Sequence, residues 1–121
     1  MFGLMEHSTV MRRARIVPKN PESIEETARR ARITREAFGY TQNYMGLMAG
    51  GTDGSAMWYN YEKGINFPER SAALALCRNC RLTLAWIYQG VLDTLPGDLI
   101  AKILEAEIRL EERGEIEPRR R

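Results

Sequence analysis

From residue 20 onward, apolar positions recur at intervals of three and four and are broken at short distances by glycine, proline or a small hydroxyl side chain. That period belongs to helices, and no stretch shows the convincing alternation of two that a half-buried strand needs. Asn20 offers an N-cap with Pro21 at the first helical position, and Ser23-Ile24-Glu25-Glu26 fits a capping box one turn further on. Ile24, Ala28, Ala31 and Phe38 then mark an apolar stripe, with arginines and glutamates between, and Gly39 ends the helix. Thr41 caps a second, short helix whose inner face is Met45, Met48 and Ala49. Gly50-Gly51-Thr52-Asp53-Gly54 is too rich in glycine for a helix interior and reads as a turn.

A third helix is expected from about Ser55 to Lys63, with Trp58 and Tyr61 on one face. Gly64 stands where a left-handed residue stops a helix, and Pro68 opens the next element. A fourth helix over 69–80 buries Ala73, Leu76, Cys77 and Cys80, and Thr83 caps a fifth, LTLAWIYQG, closed by Gly90. After the linker Asp93-Thr94-Leu95-Pro96-Gly97, a final helix of about 97–113 repeats Leu99, Ile103, Ala106 and Leu110 at four, three and four. Such spacing forms a coiled-coil-like seam. The expectation is an all-α fold of five short helices with an additional amphipathic C-terminal helix.

Composition narrows the class. A chain of 121 residues, 44% hydrophobic and 28% charged, is an ordinary globular domain with a terminal extension. The reading divides it into a basic arm (1–20), a helical domain (21–91), and a linker, helix and basic tail (92–121). No apolar run approaches the roughly 18 residues of a membrane span. The N-terminus has no continuous apolar run and no small-residue cleavage site, so a cytoplasmic protein is expected. The net charge of +2 does not by itself argue for nucleic acid. Residues 1–40 carry eight basic and five acidic groups, net +3, and residues 92–121 carry six and eight, net −2. Arg12, Arg13, Arg15 and Lys19 concentrate the positive charge at the front, and Arg119, Arg120 and Arg121 form a small cluster at the end.

Cys77 and Cys80 form a lone C-x-x-C, with a single histidine, His7, far away. Zinc needs four ligands, so core packing is the better reading and no metal or cofactor is expected. One histidine, no glycine-rich phosphate loop and no clustered carboxylates leave an enzyme little to work with.

Three stretches carry a resemblance: Gly39 to Gln42 (GYTQ), Tyr61 to Pro68 (YEKGINFP) and Leu82 to Gly90 (LTLAWIYQG). In that order and spacing they resemble the Cro/phage-repressor-like helix-turn-helix family, over residues 31–90, and in particular prophage-type bacterial regulators with an aromatic third helix. The resemblance implies a sequence-specific DNA-binding regulator, repressor-like, with the third helix in the major groove of double-stranded DNA. It places Ser55, Ala56, Tyr59 and Asn60 outward to read bases, and Gln42 against phosphate at the start of the second helix. Asn60 suits adenine, and Ala56 or Met57 a thymine methyl. Tyr44, Lys63 and the Arg12-Arg13-Arg15 arm are the expected phosphate contacts. The turn before the third helix is about two residues longer than the usual form, Gly46 stands where the family prefers alanine, and that helix has no arginine.

The Leu99, Ile103, Ala106, Leu110 seam is expected to pack against a second copy, helped by Ile100 and Leu104, giving a homodimer on two half-sites, with folding back on its own domain as the alternative. The alternative from another class is a protein-interaction module, antitoxin- or antirepressor-like, on the same scaffold.

Overall fold

The structure, a computed structural model, describes residues 18–119 apart from Asp53, and leaves the Ser55 side chain undescribed. Among the described residues there are six α-helices and no strand. They are α1 (Ile24–Phe38), α2 (Gln42–Met48), α3 (Gly54–Glu62), α4 (Arg70–Cys80), α5 (Leu84–Gln89) and α6 (Gly97–Glu112), with a 3-10 turn at Leu92–Thr94. The all-α expectation holds. The Arg12-Arg13-Arg15 arm, and Arg120 and Arg121, lie outside the described residues.

Most helix ends follow the local signals. The Ser23, Thr41 and Thr83 hydroxyls each accept the backbone N–H three residues on, from Glu26, Tyr44 and Trp86. Each thereby satisfies one of the donors that a helix start leaves unpaired. The first helix begins after Ser23 rather than at Pro21, because Asn20 instead accepts the Ser23 N–H in a turn. Only half of the capping box forms: the Glu26 carboxylate is taken by Arg119.

α1 is the central element. One side packs on α6, and others meet α3 and α5. Consequently Thr27, Ala28, Arg30, Ala31, Ile33 and Thr34 are all buried, far more of the helix than one apolar stripe provides. Its polar members are hydrogen-bonded, as burial requires. Arg30 donates to the Ile87 carbonyl at 3.2 Å and to Thr27 Oγ1 at 3.3 Å. Thr34 accepts from the Trp86 indole at 3.0 Å and donates to the Arg30 carbonyl at 2.6 Å. Gly90, at φ 73, sits over this arginine, and a Cβ there would lie 3.1 Å from Arg30 Nη1. A side chain at that position would strain the left-handed backbone and press on Arg30.

The C-terminal helix corrects an expectation. Leu99, Ile103, Ala106 and Leu110 are each 0% exposed and belong to the same core as Trp58 and Trp86. They pack on α1 of their own chain, the alternative arrangement, so the seam is occupied within the chain. Ile100 and Leu104 are only half-buried. The physical reason lies on the flanks of the seam. Arg29 meets Glu107 at 3.0 Å and Glu111 at 3.1 Å, and Glu36 takes Arg109 at 3.3 Å and Arg113 at 3.0 Å. α1 therefore offers apolar surface and matching charges on a tether, and an intramolecular partner at high effective concentration outcompetes a second molecule. Nor is 92–97 a loose linker. Leu95 is buried, the Thr83 and Thr94 hydroxyls are 2.6 Å apart, and Arg81 holds Asp98 at 3.0 Å. One core thus takes members from Ala31 to Leu110. Past Gly114 the chain runs back along α1, where Glu115 pairs with Arg32 and the Glu117 carbonyl accepts from Arg29.

Candidate nucleic-acid interface

α2 and α3 pack more extensively on each other than any other pair of helices. Met45 of α2, Ala49 at its C-terminal cap, and Trp58 and Tyr61 of α3 are buried between the two helices and the rest of the core. The two α3 aromatics meet edge to face, with ring centroids 5.5 Å apart, an arrangement that the ring quadrupoles favour. α3 stops as its sequence demands: Gly64 is left-handed at φ 72, and the Asn60 carbonyl accepts the Ile65 N–H at 3.0 Å.

One carboxylate ties three helices together. Glu62 Oε2 accepts Arg35 Nε at 2.5 Å and the Trp58 indole N–H at 2.5 Å. Its Oε1 accepts Arg35 Nη2 at 3.1 Å and Gln42 Nε2 at 3.2 Å. The Glu62 side chain is only 6% exposed, so the ion pair is largely desolvated and its hydrogen bonds are charge-assisted. Arg35 also donates to the Tyr40 carbonyl at 3.0 Å, at the joint between α1 and α2. Neither Arg35 nor the role of Glu62 was assigned from sequence. The available signal was a glutamate directly after an aromatic on the inner face of α3, where an unpaired carboxylate could not remain.

The other sequence-assigned residues divide. Ala56, Tyr59 and Lys63 are exposed, and their i, i+3, i+7 spacing puts them on the outer side of α3. The Lys63 ammonium lies 5.5 Å from the centre of the Tyr59 ring, a cation–π contact. Asn60 is half-buried beside them. Met57 turns toward the core and packs against it, so of the two residues expected to meet a thymine methyl, only Ala56 is exposed. Ser55 lies in the first turn of α3, but its side chain falls outside the described set. On α2, Tyr44 is exposed and meets the Tyr40 ring edge-on at 4.6 Å. Gln42 is half-buried and turned to Glu62, so it braces α3.

Behind this face a groove of about 690 Å³ runs between α1, the end of α3 and the C-terminal segment. Gln42, Tyr59 and Lys63 form one rim. Its lining carries five cations (Arg29, Arg32, Arg35, Lys63 and Arg119) and five carboxylates (Glu25, Glu26, Glu62, Glu115 and Glu117). The formal charges cancel.

Among the described residues no group of three or more histidine, cysteine, aspartate or glutamate side chains is placed to hold a metal ion. Cys80 is buried, and that burial pushes its thiol up to about 11. No helix among the described residues is long and apolar enough to cross a membrane. Comparison with models of known families, with curated proteins and with solved structures finds no match to the chain.

Proposed function

We propose that the chain is a sequence-specific DNA-binding regulator of the repressor-like kind, acting as a homodimer, with α3 entering the major groove. The observation that carries this reading is the way α3 is held. Trp58 and Tyr61 fix its inner side, and Arg35, Gln42 and Trp58 converge on Glu62 at its C-terminal end. A helix so immobilised leaves Ala56, Tyr59 and Lys63 on a free outer side, with Asn60 at its edge. Small and polar groups on a rigid helix are what base-edge readout needs. Phosphate attraction comes from Lys63, Tyr44 and the arginines at positions 12, 13 and 15. The two-fold contact lies elsewhere than on the α6 seam.

Selection of bound sequences from random duplex DNA tests the reading, and a symmetric recovered motif is the expected result. Asn60→Ala should then cost about 1–3 kcal/mol on the preferred site and relax the preference there. Deleting the arginine arm should weaken binding to all duplexes alike and flatten the salt dependence. If no duplex is enriched, DNA binding is the wrong function.

A second reading, a protein-interaction module, is favoured by one specific observation. Tyr44, Leu47 and Tyr59, on the outer sides of α2 and α3, are 38–44% exposed. Lys63 is the only described cation in these two helices and the residue after them. Under that reading Tyr44→Ala and Tyr59→Ala abolish capture of a protein partner, while no duplex competes.

A further inference from the structure

The groove between α1, the end of α3 and the C-terminal segment has balanced formal charges, but they are unevenly committed. Within its lining Arg35 pairs with Glu62, Arg32 with Glu115 and Arg119 with Glu26, while Arg29 is held by Glu107, Glu111 and the Glu117 carbonyl. Lys63 lies over the Tyr59 ring. The Glu25 and Glu117 carboxylates are exposed and make no ion pair among the described residues. The same lining includes Ile24, Ala28 and Ile116, the last packed against the edge of the core.

We propose that this groove is the docking site of the chain's own N-terminal arm, residues 10–17, which lie outside the described residues. That stretch reads VMRRARIV, with three arginines, no acidic group and the apolar residues Val10, Met11, Ala14, Ile16 and Val17. Its arginines are opposite in sign to Glu25 and Glu117, and guanidinium–carboxylate hydrogen bonds are among the stronger ones. Its apolar members have Ile24, Ala28 and Ile116 to cover. A phosphate entering the same groove would meet both of these carboxylates, so nucleic acid is the wrong occupant.

Chain length and point of entry favour the arm over a separate molecule. Ile24, Ala28, Arg32 and Arg35 line the groove along one face of α1, a run of about 16 Å. The described chain begins at Pro18, six residues before Ile24, with the Asn20–Ser23 turn between them. The arm therefore enters from the Ile24 end, and eight extended residues span roughly 26–29 Å, enough to run the length of the groove. Its tether sets an effective concentration on the order of millimolar, so a few exposed ion pairs and apolar contacts suffice. Docked there, the arm brings arginine to the rim of Gln42, Tyr59 and Lys63, beside a helix that has none of its own. That consequence rests on the DNA-binding reading; the docking does not.

Nuclear Overhauser effects in the methyl-labelled full chain, without DNA, test the docking. The expected result is cross-peaks between methyl groups of residues 10–17 and those of Ile24, Ala28 or Ile116. In the double variant Glu25→Gln, Glu117→Gln these cross-peaks should weaken, and tryptic cleavage after Arg12, Arg13 and Arg15 should speed up at least about threefold, the effect of losing one exposed ion pair. Both carboxylates are exposed, so the thermal melting of the variant should match the parent and show that the fold is intact. A parent without such cross-peaks overturns the proposal, as does a double variant whose cross-peaks and cleavage rate stay at parental values. Cross-peaks found only between labelled and unlabelled copies in a mixed sample overturn it too, because the occupant is then the arm of a second chain. If the contacts form and the variant breaks them but the chain enriches no duplex, the docking stands and the DNA-binding function falls.

Discussion

Replacing Glu62 by glutamine is the sharpest test of how α3 is held, because the substitution keeps the shape and removes only the charge. Each carboxylate oxygen accepts two donors: Arg35 Nη2 and Gln42 Nε2 on one, Arg35 Nε and Trp58 Nε1 on the other. A glutamine has one oxygen and one NH₂ group. Whichever way its amide is turned, the NH₂ group faces two donors, and Arg35 loses its counter-ion. Breaking a buried pair from one side costs about 3–5 kcal/mol. Arg35 is 17% exposed and keeps the Tyr40 carbonyl, so partial rehydration lowers the expected cost to about 2–4 kcal/mol. That is a large share of the stability of a small domain. Urea unfolding followed by far-ultraviolet circular dichroism measures the cost. The Arg35→Ala, Glu62→Gln double-mutant cycle should return a coupling of at least about 1.5 kcal/mol. A Glu62→Gln protein within about 0.5 kcal/mol of the parent would show that the four hydrogen bonds are a surface arrangement and that α3 is held by packing alone.

Trp58→Ala, at a side chain 2% exposed, should cost about 3–5 kcal/mol in the same assay and remove the proposed DNA binding by unfolding rather than by a change in preference. Leu99→Ala should cost about 2–5 kcal/mol, and a chain ending at Pro96 should unfold at much lower urea rather than remain folded as a monomer. An unchanged midpoint for that truncation would refute the placement of α6. Hydrogen bonding from Arg113, then Arg109, holds the Glu36 carboxyl at about 2, below the ordinary 4.5. A folded value below the unfolded one stabilises above pH 4.5, and the contribution is lost as pH falls from there toward 2. Arg109 and Arg113 are nearly half exposed, so solvent screening limits the effect to about 1 kcal/mol. Urea midpoints of the parent and Glu36→Gln should separate above pH 5 and converge only as pH falls to about 2.

Helix positions were legible because each has a local cause. Ser23, Thr41 and Thr83 cap their own helices, and Gly39, Gly64 and Gly90 take the left-handed conformation that ends a helix. The inward aromatics of α3 were legible from period alone. What the sequence hid depends on pairing between distant segments. The partner of the α6 seam was misread because a coiled-coil-like pattern specifies an apolar stripe and leaves the identity of its partner open. The burial of Arg30 was hidden because the carbonyl that receives it, from Ile87, is 57 residues away. The Arg35–Glu62 pair spans 27 residues, and nothing local to either residue announces the other.

These long-range pairs explain why α1, with four arginines and three glutamates in its 15 residues, can sit at the centre of the fold. A helix of that composition is normally a solvated face. Here Arg35 faces the α2–α3 pair, Arg30 faces α5, and Arg29 faces α6, with Arg32 and Glu36 facing the segment at and beyond its end. Arg35, Arg30 and Arg29 are thus directed to three different neighbours, and Glu26, Arg32 and Glu36 to the C-terminal helix and the segment after it. The apolar residues between them supply the energy of packing, and the ion pairs discriminate among ways of arranging the neighbouring helices on α1. Ion pairs of this kind contribute little net stability but penalise every register that leaves one unmatched. Exchanging Arg29 and Glu107, with Glu111→Gln so that two carboxylates do not meet, should therefore preserve the fold at a cost under about 2 kcal/mol, whereas Glu107→Arg alone, which sets two guanidinium groups together, should cost more than either single loss. If the exchange and the single reversal prove equally destabilising, the orientation of α6 is set by its apolar seam and the charges merely accompany it.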